Sequence, residues 1–393
     1  MDSCNVVFLH QKFPDDHSVK WGTHFYNEYF IRKGCNVLNL VHATSILQLI
    51  KPNKETLHRM RLSMKGPYTV QKENVGSYTV CGITTLFHPV ESISFFHNSF
   101  VARQYFSITY PSIKKITQSL GKIGILFFSI AEAGIYYKIR ADLSILRVQD
   151  YLDSSFYRLD CSYYKDMVKQ VDIILAVSNP IYDMAVKQRG TSEGVYLLPN
   201  GCDIDKFQME YPSPPEYSII PKPIILYVGT LNSNHFDWNL LINTAKLKSE
   251  LSFVLIGAIK RIPKDLPRNV YVFGSRPHEE IPAYMQHAQV GLHPVLDIPQ
   301  ARMTERPLKF YEYAASGLPM ITVSYGALKN LSPHAILADD PNEFSEGIDE
   351  ALKYDNQQKE NLKRMVKEFS WNNVFKRFDE ILSVHYPGWS IND

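Results

Sequence analysis

Three charged side chains near residue 310 have the chemical types and the spacing of a substrate-binding site. Glu305, Lys309 and Glu312 are separated by four and then three positions, so on an α-helix they lie within about 60° of one another. A cation at the start of a helix favours a diphosphate, and carboxylates accept hydrogen bonds from sugar or ribose hydroxyls. The alternative is a solvated helix face, on which such pairs contribute about 0.2–0.5 kcal/mol each.

Proline and glycine mark the expected limits of this helix. Pro307 suits a first helical turn, and Gly317 followed by Pro319 suits the end. Glu305 then precedes the helix, where it either contacts a hydroxyl of a donor sugar or caps the helix. The cap is the favoured interpretation.

Two further candidates follow apolar runs that predict buried strands. Asp150 comes just after residues 143–148 and can act as a general base, although it can also be a helix N-cap or a loop residue. Asp153 is the other carboxylate that could take this place. His10 ends the first predicted strand, where it either lines the acceptor side or has a structural role.

The elements that would position these side chains form two α/β regions. Strands are predicted near residues 6–9, 37–41, 123–128, 143–148, 173–177 and 195–198, and again near 224–230, 253–256, 270–273, 290–293 and 320–323. Five prolines between 211 and 223 indicate a linker. We predict an N-terminal Rossmann-like domain at 1–207, a linker at 208–223, a C-terminal Rossmann-like domain at 224–370, and a C-terminal helix at 371–393 that packs back on the first domain. A ligand would bind in the cleft between the domains.

The charge distribution and the cysteine content indicate which binding partner and which cellular compartment to expect. Residues 51–122 hold ten Lys/Arg and three Asp/Glu, within a chain of 393 residues and net charge +2; an anionic membrane surface would suit them. Five scattered cysteines favour a reducing cytosol. No signal peptide or membrane-spanning segment is predicted, so we expect a cytoplasmic protein that associates peripherally with the inner face of the membrane. No nucleic-acid-binding motif occurs.

Four segments resemble, in order, motifs of the GT-B glycosyltransferases. They are the turn at 199–207, the strand and turn at 227–231, the loop at 269–284 and the helix at 307–319. The resemblance implies that Lys309 binds the diphosphate and Glu312 the ribose hydroxyls. It also implies that the turn at Gly229 and Thr230 brings backbone N–H groups to the phosphates. Arg276 would bind the uracil edge or a phosphate, or be an ordinary surface residue.

Within this fold the chain is most similar to the bacterial glucuronosyltransferases that build the xanthan repeat unit on a polyprenyl diphosphate. Residues 146–150 resemble that family's strand ending in the catalytic Asp, which implies that Asp150 is the base. The basic stretch with Arg59, Arg61 and Lys65 resembles its membrane-side loop.

These features predict a metal-independent, inverting glycosyltransferase. It would move glucuronic acid or another hexose from a UDP-sugar to a glycan or polyprenyl-linked acceptor, without any cofactor. The pair Asp203 and Asp205 is interpreted as structural rather than as a metal site. Two alternatives remain: a GT-B-fold UDP-sugar epimerase, and a noncatalytic nucleotide-sugar-binding protein.

Overall fold

The structure is a computed structural model. It describes residues 4–10, 22–46, 48, 54–73, 75–86, 100, 104, 106–129, 133–149, 162–231 and 235–389. The chain forms two compact units: an N-terminal unit of residues 1–198 and 375–393, and a C-terminal unit of residues 199–374. Among the described residues, every helix is too short or too polar to cross a membrane.

The N-terminal unit is built on a mainly parallel sheet. Its strands are β1 (Asn5–His10), β2 (Asn36–Ser45), β3 (Tyr68–Lys72), β4 (Gly76–Thr85), β5 (Thr109–Tyr110), β6 (Ile125–Ser129), β7 (Leu143–Val148), β8 (Ile173–Ala176) and β9 (Val195–Leu197). They lie in the order β3-β4-β2-β1-β6-β7-β8-β9, with β5 beside β4. Only β3 and β5 pair antiparallel among these strands. The strands predicted in this half are confirmed, with ends that shift by a few residues.

The helices of the N-terminal unit cover the sheet with aromatic side chains. They are α1 (Gly22–Arg32), α2 (Lys54–Met64), α3 (Ile113–Ser119), α4 (Ala133–Tyr136), α5 (Ser162–Gln170) and α6 (Asn179–Arg189). Tyr26 and Phe30 of α1 pack on Phe127 of β6. Phe378, from the C-terminal helix described below, meets the Tyr26 ring edge-on at 5.1 Å. This cluster holds α1 against β6 and the C-terminal helix.

The C-terminal unit has a six-stranded parallel sheet. Its strands are β10 (Ile224–Val228), β11 (Ser252–Ile256), β12 (Val270–Gly274), β13 (Val290–His293), β14 (Met320–Thr322) and β15 (Ile336–Leu337). Their order is β12-β11-β10-β13-β14-β15, which is the doubly wound Rossmann arrangement. Since both faces are covered, β10 and β11 are runs of buried apolar residues without polar alternation.

Helices connect these strands and carry the chain out of the unit. They are α7 (Ile204–Gln208), α8 (Trp238–Leu247), α9 (Ile281–Gln286), α10 (Pro299–Met303), α11 (Leu308–Ala315), α12 (Pro341–Ala351), α13 (Asn356–Met365) and α14 (Trp371–His385). The chain leaves the C-terminal unit within α14. Helix α13 was not predicted, although Asp355 and Gln358 form a capping box at its start.

Candidate functional site

The strand order of the C-terminal unit defines where a ligand would bind in that unit. After β10 the chain builds the sheet outward through β11 and β12, and then returns to the other side of β10 with β13. Loops leave β10 and β13 in opposite directions, which opens a crevice at their carboxyl ends. Gly229 and Thr230 follow β10, and His293 ends β13. The described candidates Lys309 and Glu312 lie on α11, the second of the two helices between β13 and β14.

Gly229 has a steric role at this edge. Its φ is +153°, and an added Cβ would lie 2.6 Å from Cε and 2.8 Å from Nζ of Lys309. The Gly229 N–H donates to the Ile256 carbonyl at 2.8 Å, so it continues the β10–β11 pairing. This amide is therefore occupied within the sheet, and the expectation that the turn at Gly229 and Thr230 brings backbone N–H groups to the phosphates stays a prediction. Thr230 is exposed beside it.

Lys309 is the cation of this site. It lies in the first turn of α11, and its Nζ is 5.3 Å from the centre of the Tyr227 ring. Burial lowers the pKa of Lys309, while the charge of the Glu312 carboxylate raises it. Lys309 forms neither a hydrogen bond nor an ion pair with any other residue that the structure describes. A desolvated ammonium that forms no direct ion pair is costly, and a bound anion would relieve that cost.

A neutral histidine borders the lysine. His293 is buried, and its Nδ1 lies 2.9 Å from the hydroxyl of Thr322 on β14. Because that hydroxyl also donates to the His293 carbonyl at 3.4 Å, it accepts from Nδ1–H, and Nε2 is left as the basic nitrogen. Burial and then the charge of Lys309 hold the pKa of His293 well below its usual value. His293 therefore adds no second cation beside Lys309.

Glu312 belongs to a chain of three side chains. The Nζ of Lys206 lies 2.7 Å from Nδ1 of His278, and Nε2 of His278 lies 3.2 Å from Oε1 of Glu312. Lys206 comes from α7, and His278 from the loop after β12. The side chain of Glu312 is 18% exposed, so it is held by the protein and is still open to solvent.

Glu305 does not cap the helix as expected, and Arg276 makes contacts within the protein. Helix α11 begins at Leu308 after an extended Pro307, with no side-chain hydrogen bond at its N-cap. The interpretation of Glu305 as the helix cap is therefore wrong, and its side chain is buried instead. Arg276 donates to the Phe273 carbonyl at 2.7 Å and to Glu216 at 3.0 Å. Its guanidinium thus fastens the Pro-rich segment to the end of β12.

Asp203 and Asp205 lie at the start of α7. The Asp203 carboxylate accepts from the Lys206 N–H at 3.5 Å and so caps the helix, while Asp205 lies in its first turn. This geometry supports the structural interpretation of the pair. No cluster of three or more potential metal ligands occurs in the described parts of the chain.

In the N-terminal unit, His10 is enclosed rather than offered to a ligand. Its Nε2 lies 2.7 Å from Oδ1 of Asn39, and its ring stacks on Phe8. Burial, followed by the nearby His24, lowers the pKa of His10 to about 3, although the Asn39 hydrogen bond opposes the shift. The ring is therefore neutral at physiological pH.

The other candidates of this unit fall into two groups. Arg59 and Arg61 lie on α2, and Lys65 follows it; Arg61 and Lys65 are exposed and Arg59 is half-buried. Asp150 and Asp153 lie outside the described residues, so the role of Asp150 stays a prediction.

The sequence predictions missed Lys206, Tyr227, His278 and His293 as site residues. His293 had a usable signal, because it is a polar residue at the end of a buried strand. The other three act through contacts between segments far apart in the chain, and residue spacing carries no information about such contacts.

Comparison with known proteins agrees with this architecture. Residues 222–354 match the family described as "Glycosyl transferases group 1". No curated protein sequence matches the chain. The matched family segment includes β10–β15 and α11, and therefore Gly229, His278, His293, Lys309 and Glu312.

Similar solved structures cover nearly the whole chain. A glycosyltransferase from Rickettsia africae ESF-5 is 15% identical over 99% of this chain and 100% of that chain, with a TM-score of 0.67. HepE from Anabaena, in complex with UDP and glucose, is 14% identical over 97% and 100%, with a TM-score of 0.66. Sucrose-phosphate synthase from Thermosynechococcus elongatus is 14% identical over 97% and 98%, with a TM-score of 0.65. At these identities the similarity establishes the fold, and the chain has the α/β fold of the GT-B glycosyltransferases, as predicted.

Proposed function

We propose that the protein is a glycosyltransferase that uses a UDP-sugar donor. The observation that carries the proposal is Lys309, a desolvated ammonium without an ion-pair partner among the described residues, at the switch point of a Rossmann-type sheet. A nucleoside diphosphate supplies the anion that this ammonium lacks. The match of residues 222–354 to group 1 glycosyltransferases supports the same reaction class, and the UDP in the HepE complex supports uracil as the base.

The chemistry follows from the charge that develops during transfer. When the bond between the anomeric carbon and the diphosphate oxygen breaks, negative charge grows on the departing UDP. Lys309, preorganised over Gly229, stabilises that charge without rearranging. Glu312 accepts hydrogen bonds from the ribose hydroxyls and fixes the nucleoside. These two side chains supply binding and leaving-group stabilisation without a metal ion, so we propose metal-independent catalysis.

The acceptor hydroxyl requires a general base. We propose Asp150, so that the hydroxyl oxygen attacks opposite the departing diphosphate while its proton goes to the carboxylate. Attack from that side inverts the anomeric centre. Replacing Asp150 with Asn keeps the size of the side chain and removes its basicity, so turnover should be lost while donor binding is retained.

We propose a glycan or polyprenyl-linked acceptor that is met at an anionic membrane surface. The region around α2 combines exposed cations at Arg61 and Lys65 with exposed apolar side chains at Leu57 and Met64. Cations attract anionic headgroups, and apolar side chains enter the interface. Flotation with vesicles of phosphatidylglycerol and phosphatidylcholine tests this part. Binding at low salt that is lost with pure phosphatidylcholine is expected, and no binding to either would overturn it.

The reaction itself is tested with a panel of UDP-sugars that includes UDP-glucose and UDP-glucuronic acid. Each donor is incubated with and without a polyprenyl-linked glycan mixture, and UDP release and the labelled sugar are followed. Transfer of label that requires the acceptor is expected, and Asp150→Asn should bind UDP but transfer nothing. Rapid formation of an epimeric UDP-sugar without acceptor would instead identify an epimerase. Binding of UDP without any turnover would identify a noncatalytic module.

A further inference from the structure

The turn at 199–207 builds part of the nucleotide site. Asp203 caps α7, and this cap fixes Lys206 in the first turn of that helix. The buried Phe207 meets the His278 ring edge-on, with the ring centres 5.9 Å apart. One short helix thus supplies both an apolar wall and a cation to His278, a residue 72 positions away from Lys206.

The contacts around His278 fix its tautomer. A lysine ammonium can only donate hydrogen bonds, so Nδ1 of His278 must be the acceptor of the 2.7 Å contact with Lys206. The ring proton is then on Nε2, which donates to Oε1 of Glu312 at 3.2 Å. The direction of donation is the same at each step: from Lys206 to His278, and from His278 to Glu312.

This chain determines what Glu312 can offer to a ligand. An ionised carboxylate has about four acceptor positions, and His278 takes one of them on Oε1. The others are available to a pair of vicinal hydroxyls. Because the Glu312 side chain is held at one oxygen, its χ angles are restricted before any ligand arrives, and a preorganised acceptor loses less entropy on binding.

We propose that His278, oriented by Lys206, is a positioning residue that aims the Glu312 carboxylate at the ribose of the donor. The proposal rests on the proposed function, since it refines how that site reads its nucleotide. It gives the site a means of distinguishing a ribonucleotide from its 2′-deoxy analogue. It also explains why the α7 turn, which has no acid–base chemistry of its own, carries a lysine at this position.

The test compares dissociation constants for UDP and 2′-deoxy-UDP by calorimetry. The unmodified protein should favour UDP by about tenfold, the value of one hydrogen bond to a charged acceptor. In His278→Leu this preference should fall by about threefold or more. His278→Gln should largely restore it, because the amide can accept from Lys206 and donate to Glu312. Lys206→Met, which keeps the ring, should give an intermediate preference even if His278→Leu fails to fold.

A matched control distinguishes the loss of Glu312 positioning from a general loss of structure caused by replacing a histidine. His287 lies in the same unit, and its Nε2 contacts the Tyr211 carbonyl at 2.8 Å, away from Glu312. His287→Leu should keep the full preference for UDP. The proposal is overturned if folded His278→Leu and Lys206→Met keep that preference, or if His287→Leu loses it equally. If UDP does not bind the unmodified protein, the proposed function itself is overturned, whereas UDP binding with an unchanged preference in these variants overturns only the role of His278.

Discussion

The carboxyl ends of β1 and β10 occupy equivalent positions in two doubly wound sheets. One holds a buried neutral histidine, and the other lies beside a lysine ammonium. At the end of β1, His10 is stacked on Phe8, bonded to Asn39 and kept neutral by burial. At the end of β10, Gly229 leaves space for the ammonium of Lys309, which has no ion pair within the described chain. Each unit thus uses the same strand end differently, one to enclose a polar side chain and the other to present a charge.

The difference shows that the position in the fold does not determine the chemistry there. Asn39 gives His10 a hydrogen-bond partner from the neighbouring strand β2. In the C-terminal unit, His293 is bonded to Thr322 and Glu312 to His278, so Lys309 is left without a direct hydrogen bond or ion pair in the described chain. We therefore expect ligand binding at the group that the surrounding structure leaves without a direct ion pair.

Removing the charge of Lys309 should have the largest effect. Lys309→Met should lower kcat/KM for transfer from a UDP-sugar by ~10²–10³-fold, the usual cost of losing one preorganised electrostatic contact to a leaving group. Steady-state kinetics measure it, with the exposed Lys329→Met as the control for loss of a positive charge. Comparable kinetics for the two variants would contradict the comparison, because Lys309 at the end of β10 would then contribute no more to catalysis than an exposed lysine.

Closing the space at Gly229 should have the second largest effect. In Gly229→Ala the new Cβ would collide with Lys309, and the alanine would have to adopt a φ of +153°. We therefore expect a loss of about 1–3 kcal/mol of stability together with weaker UDP binding. Gly190→Ala is the control, because Gly190 has φ +86° but no atom within 4 Å of an added Cβ. It should destabilise the protein and leave UDP binding unchanged. Equal UDP affinity in both variants would contradict the steric role of Gly229.

The enclosed histidine should affect stability in acid. Because the pKa of folded His10 is about 3 and its ordinary value is 6.5, the unfolded chain binds the extra proton between these values. The contribution of His10 to the free energy of unfolding therefore falls as the pH drops below 6.5, by up to about 1.4 kcal/mol per pH unit. Denaturant titrations at pH 7.5, 6 and 5 should show a smaller fall for His10→Gln. The same pH dependence in both proteins would show that His10 is accessible to protons.

Arg276 should give the smallest effect. Since its guanidinium is bonded to Glu216 and to the Phe273 carbonyl, Arg276→Ala should cost about 1 kcal/mol of stability and change UDP affinity by less than about twofold. Glu216→Gln should give a similar loss of stability. A large loss of UDP affinity in Arg276→Ala alone would support the alternative that Arg276 contacts the nucleotide.

Local pattern accounted for much of the fold and only part of the site. The spacing of Lys309 and Glu312, and the apolar runs of β10 and β11, were readable because helix and strand periodicities are local. The Glu305 cap was predicted wrongly, since the sequence does not show that Pro307 stays extended and delays the helix to Leu308. The hydrogen bond from the Gly229 amide to the Ile256 carbonyl was not predicted, because Ile256 belongs to another strand. His278 was missed because its contacts with Lys206 and Glu312 exist only in the folded chain.

The central claim is that Lys309 binds the second phosphate of the nucleotide, and calorimetry with UDP and UMP tests it most directly. The unmodified protein should bind UDP at least about tenfold more tightly than UMP. In Lys309→Met the affinity for UDP should fall close to that for UMP, while UMP affinity changes little. If Lys309→Met keeps the full preference for UDP, Lys309 is not the diphosphate ligand and the account of this site is wrong.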